Sequence, residues 1–110
     1  MDEKYNGWTN RETWNTSLWM NNDEGTQSES VAIVRRHLAL IPGTRGPGAA
    51  SEEAILAVSL SYAADELREW WDELYGPEGA TPLSDAWSYA MSRTDWREIT
   101  RSIFDGLTDE

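Results

Sequence analysis

The sequence predicts an all-α fold, a single compact domain of about five helices around a long central helix at about residues 51–75. Apolar residues recur at three- and four-residue spacings in every long segment, which is the period of a helix and not of a strand. Residues that cap or break helices fall between these segments. The chain has 110 residues, which fits one domain, and its seven tryptophans supply large rings for a core.

The start of the first helix is predicted from a capping pattern. Thr9 and Glu12 stand three residues apart, the spacing of a capping box, so the helix should begin at about Asn10. Trp14 and Leu18 are four residues apart and therefore share one face of this helix. We expect residues 5–23, which contain this helix, to pack across the central helix.

The next two helices are predicted in the same way. Thr26 and Glu29 repeat the capping-box spacing at the start of a second helix. Residues 42–50 are rich in glycine and proline, which predicts a flexible loop. The long helix follows, with Ser51 as its cap. It is apolar on almost every side over residues 54–64, so its first half is expected at the centre of the core.

Two shorter helices complete the domain, which is taken as residues 1–110. Thr81 is a cap followed by Pro82 at the first position of the fourth helix. Asp95 and Glu98 predict the start of the fifth. The apolar stripe of the fifth helix consists of Trp96, Ile99, Ile103 and Leu107.

The composition limits which metal sites and which kinds of catalysis the chain can support. Cysteine is absent, which excludes disulfides and thiol chemistry within these 110 residues. His37 is the one histidine, so a zinc site of nitrogen and sulfur ligands and a di-iron site of Glu-x-x-His pairs are not expected. His37 follows two arginines and is expected at the surface. We therefore predict no metal, no cofactor and no catalytic residue, and a protein that is not an enzyme.

The charge and the absence of long apolar runs bear on location and partners. The net charge is −11, from 20 acids and 9 bases, which disfavours direct binding to nucleic acid. No stretch approaches the ~20 apolar residues of a membrane helix. The first residues lack the apolar run of a signal peptide. The sequence thus predicts a cytoplasmic protein with neither a membrane nor a nucleic acid as a direct partner.

Acidic residues concentrate in the second half of the chain, where residues 47–92 hold nine acids and one base. Five of them share an arc of about 120° on the long helix, and we call them the acidic face: Asp65, Glu66, Glu69, Asp72 and Glu73. They span about 12 Å. One carboxylate per ~2.4 Å approaches the one phosphate per ~1.7 Å of duplex DNA. The face is therefore either a solvated surface or a mimic of nucleic acid.

A second candidate surface lies in residues 5–23, which we call the N-terminal motif. It holds three tryptophans and five asparagines. Asparagine is a poor helix former, and core packing does not account for so many of them. The side chains predicted to bind a partner here are Trp8, Asn10, Asn15, Trp19 and Asn21.

Residues 5–8, 12–15 and 18–19 resemble a family of small uncharacterised proteins found in bacteriophages, plasmids and bacteria. The family pattern reads Y-N-G-W-x-N-x-E-T-W-x-x-x-L-W-x-x-N-D, and a similarity continues at residues 64–67 and 95–99. The resemblance implies a mobile-element setting. It implies no activity.

Two functions are compatible with these observations. The leading hypothesis is a non-enzymatic protein-binding module of a phage or mobile element. Its acidic face would occupy the basic nucleic-acid-binding surface of a host defence protein, such as a restriction or CRISPR component. The alternative is a regulatory or scaffolding module that binds a peptide, another subunit or a second copy of itself through the N-terminal motif. Binding through the acidic face should weaken steeply with salt, whereas an aromatic interface should barely respond.

Overall fold

The computed structural model describes residues 4–38 and 52–108. These ranges form five α-helices: α1 (Arg11–Asn22), α2 (Glu24–Leu38), α3 (Glu52–Tyr75), α4 (Pro82–Arg93) and α5 (Trp96–Thr108). Within them the only extended pairing is an isolated bridge between Tyr5 and Trp8. The predicted all-α fold class is confirmed. The predicted loop at residues 42–50 and the cap at Ser51 lie outside the described residues.

The core is built around α3, as predicted. This helix packs against α2 and α5, which also touch each other, while α1 lies on α2, α4 and α5. All five helices supply buried apolar side chains: Met20 from α1, Ile33 and Val34 from α2, Leu60, Ala64, Leu67 and Trp71 from α3, Met91 from α4, and Trp96 and Ile99 from α5. The predicted packing of the first helix across the central one is wrong, because the main neighbours of α1 are the three other helices.

The inward face of α1 consists of small polar residues and one methionine. Thr13, Ser17 and Met20 are buried, whereas Leu18 is 38% exposed and Trp14 is only partly buried. The face that Trp14 and Leu18 share is therefore not the face of α1 that is buried in the core. Small side chains let the backbone of α1 come close to its neighbours, and the larger side chains lie at the edge of the interface.

The first two helix starts differ from the predicted caps by a few residues. Asn10 and not Thr9 is the N-cap of α1, and its Oδ1 accepts a hydrogen bond of 2.9 Å from Thr13 N. Asp23 takes that role for α2, because its Oδ1 accepts from Gly25 N at 2.8 Å. Thr26 lies inside α2, where its buried hydroxyl donates to Met20 O. Asn10 follows the predicted cap Thr9 by one residue and Asp23 precedes the predicted cap Thr26 by three, and asparagine and aspartate are both strong N-caps.

The last two helix starts follow the predicted pattern. Thr81 caps α4 by accepting from Ser84 N, with Pro82 at the first helical position. Asp95 Oδ1 accepts from Glu98 N at 3.0 Å at the start of α5. The Glu98 side chain does not return to its own helix. It accepts from Thr9 N at 3.0 Å and so joins α5 to the segment before α1.

The first half of α3 is less buried than its apolar character predicts. Val58 and Tyr62 are 53% and 62% exposed, and the buried residues of the helix begin at Leu60. The expectation that residues 54–64 lie at the centre of the core therefore holds for Leu60, Ala63 and Ala64 and is wrong for Val58 and Tyr62. With 24 residues, α3 is about 36 Å long at 1.5 Å per residue. It is longer than α2 and α5, which have 15 and 13 residues, so part of it extends past them.

A cluster of hydrogen bonds joins the start of α1 to the corner between α4 and α5. Thr13 Oγ1 donates to Asn10 Oδ1 and accepts from Asp95 N at 2.8 Å. Asn10 Nδ2 in turn donates to Arg93 O at 2.7 Å. We call these contacts the corner latch. Thr13 is fully buried, so its hydroxyl has no water to replace a lost partner.

We predict that Trp96→Ala destabilises the fold far more than Trp19→Ala. Trp96 is 8% exposed within the core, and its Nε1 donates to Met91 O, so its removal should cost ~3–5 kcal/mol. Trp19 is 61% exposed, so its replacement by alanine should lower the free energy of unfolding by no more than about 0.5 kcal/mol. Urea denaturation followed by circular dichroism measures both free energies of unfolding. Equal losses in the two variants would contradict the core described above.

Thr13→Val tests the corner latch without changing side-chain shape. We expect a loss of ~1–3 kcal/mol in the free energy of unfolding, because Asp95 N is left without its acceptor. Thr9→Val is the matched control, since Thr9 is exposed and its hydroxyl makes no hydrogen bond to any described residue. If both valine variants unfold at the same urea concentration, the latch contributes nothing to stability.

Candidate functional site

The acidic face lies on the side of α3 away from the core. Leu67 and Trp71 face inward and are 0% and 5% exposed, while Asp65, Glu69 and Glu73 are exposed to solvent. Residues three or four positions apart share one face of a helix. The apolar residues and the acidic residues each repeat at these spacings, so the two sets lie on different faces of α3.

The two edges of the acidic face contact neighbouring helices. Glu66 forms an ion pair with Arg36, and its Oε1 lies 2.8 Å from Nε2 of His37, so it joins α3 to α2. On the opposite edge Asp72 Oδ1 accepts a hydrogen bond of 2.6 Å from Trp87 Nε1 of α4. His37 was expected at the surface, but its side chain is only 20% exposed because it turns toward Glu66. These carboxylates therefore have structural partners.

The centre of the acidic face has no such partners. Asp65, Glu69 and Glu73 form neither an ion pair nor a side-chain hydrogen bond with any residue in the described ranges. They are spaced four residues apart, so their Cα atoms follow one another at about 6 Å along the helix. They form a line of negative charge that faces solvent.

A second feature is an open cleft of about 610 Å³ between α1, the end of α3, and α4. We call it the aromatic cleft. Four aromatic side chains line it: Trp19, Trp71, Tyr75 and Trp87. The other lining residues are Glu12, Asn15, Thr16, Asn22, Asp23, Ala90, Met91 and Thr94. The cleft exists because α1 packs on α2, α4 and α5 and does not close against the end of α3.

The walls of the aromatic cleft are held in place by ring contacts and one hydrogen bond. The ring of Trp71 meets those of Trp70 and Tyr75 edge to face, with centroids 5.6 Å and 4.8 Å apart. Trp87 is fixed by its hydrogen bond to Asp72. Trp19 differs in its exposure, because most of its ring is exposed whereas Trp71 is buried, and neither Nε1 has an acceptor among the described residues.

A smaller groove of about 450 Å³ runs between α3 and α4. We call it the acidic groove, and it is lined by Asp65, Arg68, Glu69, Asp72, Trp87, Ser88 and Met91. Trp87 and Met91 line the aromatic cleft as well. The two depressions are therefore neighbours, and the Trp87 ring stands at their common border.

The structure separates the five candidate residues of the N-terminal motif by role. Asn15 and Trp19 line the aromatic cleft. Asn10 belongs to the corner latch, and Asn21 Nδ2 donates to Ser17 O one turn earlier in its own helix. Trp8 is partly buried against the core.

Sequence reasoning missed the aromatic residues that face the motif across the cleft. Trp71 and Trp87 belong to apolar stripes, which predict only burial in a core. Tyr75 ends α3 and is 52% exposed. The paired aromatic residues at 70–71 are a signal of a large apolar surface, but not of an open one. The gap depends on where α1 lies, which no local pattern encodes.

A tight turn at Asn6 and Gly7 precedes α1. Tyr5 and Trp8 exchange two backbone hydrogen bonds of 2.8 Å around Asn6 and Gly7, whose φ angles are 49° and 89°. Positive φ at both central positions is the geometry that Asn-Gly favours. The Tyr5 ring packs 4.9 Å from that of Trp14, so the turn folds over the first turn of α1.

The described part of the chain contains no group of three or more histidine, cysteine, aspartate or glutamate side chains placed to hold a metal ion. In the same residues no helix combines the length and the apolar character that crossing a membrane requires.

Comparison with known proteins adds one similarity. The profile of a family of unknown function, DUF7249, matches residues 1–38, a range that contains the whole N-terminal motif, α1 and α2. No curated protein matches the chain, and no solved structure matches it.

Proposed function

We propose that the protein is a non-enzymatic protein-binding module whose acidic face docks on a positively charged surface of another protein. The observation that carries this proposal is the line of three solvent-facing carboxylates, Asp65, Glu69 and Glu73, which have no partner among the described residues. Like charges four residues apart cost a helix a few tenths of a kcal/mol each. The positive charges of a basic partner would attract these carboxylates and offset the repulsion between them.

In its most specific form the proposed partner is a nucleic-acid-binding protein of a host defence system, such as a restriction or CRISPR component. The five carboxylates of the face would stand in for phosphates. The mobile-element setting is supported by the resemblance of the N-terminal motif to phage and plasmid proteins, and the module would act in the host cytoplasm. Arg36 offsets the charge of Glu66, so the contact would centre on the other four acids.

A second candidate function is favoured by the exposure of Trp19. Its ring is 61% exposed at the edge of a cleft lined by three further aromatic side chains. Under this alternative the module is regulatory or scaffolding, and the N-terminal motif binds a peptide, another subunit or a second copy of the chain. Exposed aromatic rings beside a cleft are typical of binding surfaces.

The proposal predicts the effect of removing the free carboxylates. The triple variant Asp65→Asn, Glu69→Gln and Glu73→Gln keeps the contacts of Glu66 and Asp72 and relieves the repulsion along α3, so its stability should hold or rise slightly. Its affinity for a partner captured from bacterial lysate should fall at least about tenfold, mainly through slower association. Surface plasmon resonance with the identified partner measures both rates. Duplex DNA should compete with the parent protein, and less so as salt rises.

A matched control changes net charge equally at three exposed acids elsewhere: Glu29→Gln, Glu53→Gln and Glu78→Gln. This variant should bind nearly as the parent does. If the two triple variants bind alike, the acidic face is a solvated surface and the interaction depends on net charge or on another site.

A further inference from the structure

We propose that the aromatic cleft and the acidic groove form one docking site for an amphipathic, positively charged segment of a partner protein. A bulky apolar side chain of the segment enters the cleft beside Trp19. Lysine or arginine side chains of the same segment cross Trp87 and lie along the acidic groove. This inference deepens the proposed function, and its basic half rests on the acidic contact proposed above.

The size and lining of the aromatic cleft suit a large apolar side chain. Its volume of about 610 Å³ lies within the ~300–1,000 Å³ in which proteins hold ligands. Trp71 and Met91 are 5% and 7% exposed, so the cleft reaches the edge of the core. Trp19 and Tyr75 are 61% and 52% exposed, and an occupant would remove their ring faces from water.

Trp19 also offers a directional contact. Among the described residues its Nε1 has no acceptor, as for every tryptophan other than Trp87 and Trp96, and its 61% exposure leaves this N–H open to a partner. A tryptophan at an interface commonly uses its ring for apolar contact and its N–H for one hydrogen bond. A backbone carbonyl of the partner segment would supply that acceptor.

The charges around the two depressions indicate that the partner segment is positively charged. The charged residues that line the aromatic cleft are both acidic, Glu12 and Asp23. Beyond Trp87, the acidic groove adds three carboxylates against one guanidinium, that of Arg68. Arg93 lies 3.5 Å from Glu12 and balances only that acid. An apolar segment with positive charge is therefore complementary to the whole surface.

The same charges disfavour a second copy of this chain as the occupant. In a twofold dimer the same surface patch meets itself, so Glu12 and Asp23 of both copies would approach one another. Each copy also carries a net charge of −11. The homodimer thus becomes an outcome of the test and not the proposal.

The common border at Trp87 sets the spacing between the apolar residue and the basic residues of the partner segment. Trp87 and Met91 line both the cleft and the groove, and the Trp87 ring is held by its hydrogen bond to Asp72. One turn of helix advances about 5.4 Å, so an apolar residue at position i and basic residues at i+3, i+4 and i+7 would face the two depressions together.

The test uses three synthetic helical peptides with a fluorescent label. The first carries tryptophan at position i and lysines at i+3, i+4 and i+7 on an alanine-based helix. The second replaces the tryptophan with alanine, and the third replaces the three lysines with glutamine. Fluorescence anisotropy at low salt measures the affinity of each peptide for the full chain. We expect the first peptide to bind at least tenfold more tightly than either of the others.

Protein variants locate the binding. Trp19→Ala should weaken the first peptide at least tenfold, whereas Tyr62→Ala, which removes an equally exposed ring from the first half of α3, should leave binding unchanged. The double variant Asp65→Asn and Glu69→Gln should weaken the first peptide and leave the glutamine peptide unaffected. Thermal melts of all variants show whether each remains folded.

The outcomes separate this inference from the proposed function. If binding depends on the lysines but not on the tryptophan or on Trp19, the cleft inference is overturned and the acidic contact stands. If binding depends on the tryptophan and Trp19 but not on the lysines, the two-part site is overturned and so is the acidic contact. No binding of the first peptide overturns the inference. A dimer in sedimentation that Trp19→Ala dissociates would show that the occupant is a second copy.

Discussion

The corner latch is the interaction on which the shape of the candidate site depends. Asn10 caps α1 and also reaches Arg93 O, while the Thr13 hydroxyl accepts from Asp95 N. These bonds fix the start of α1 at the junction of α4 and α5. With α1 anchored there and packed on α2, it does not close against the end of α3. The aromatic cleft is the space that this placement leaves open.

Small hydroxyl residues make that placement possible. Thr13, Ser17, Thr26 and Thr100 are buried, and within the described chain no buried side-chain nitrogen or oxygen lacks a partner. Two of these hydroxyls donate to backbone carbonyls, Thr26 to Met20 O at a helix junction and Thr100 to Trp96 O one turn earlier. They therefore fill close helix contacts without an unsatisfied polar group. The larger rings of α1 are displaced to the periphery, where Trp19 borders the cleft.

The acidic face joins α3 to its neighbouring helices at its edges and exposes negative charge at its centre. Its edges hold α3 to α2 through Glu66 and to α4 through Asp72. Its centre presents carboxylates that repel one another and have no partner among the described residues, so they do not help α3 to form. A helix used only for solubility would mix lysines among such acids. The contact between Asp72 and Trp87 also joins this face to the aromatic cleft, so the two candidate surfaces are one continuous region of the molecule.

The sequence by itself determined the fold class, the central long helix and the last two helix caps. It also determined which acidic residues share one face of that helix. These features depend on periodicity and on residues within four positions of one another, and both are local. It did not determine which side of α1 is buried, because hydrophobicity favours Trp14 and Leu18 while close packing favours Thr13 and Ser17. Nor did it identify the aromatic cleft. Trp71 and Trp87 have the spacing of core residues, and whether such a ring is covered depends on the position of another helix. Only the tertiary structure decided that position, because the hydrogen bonds of the corner latch join residues about 80 positions apart in the chain.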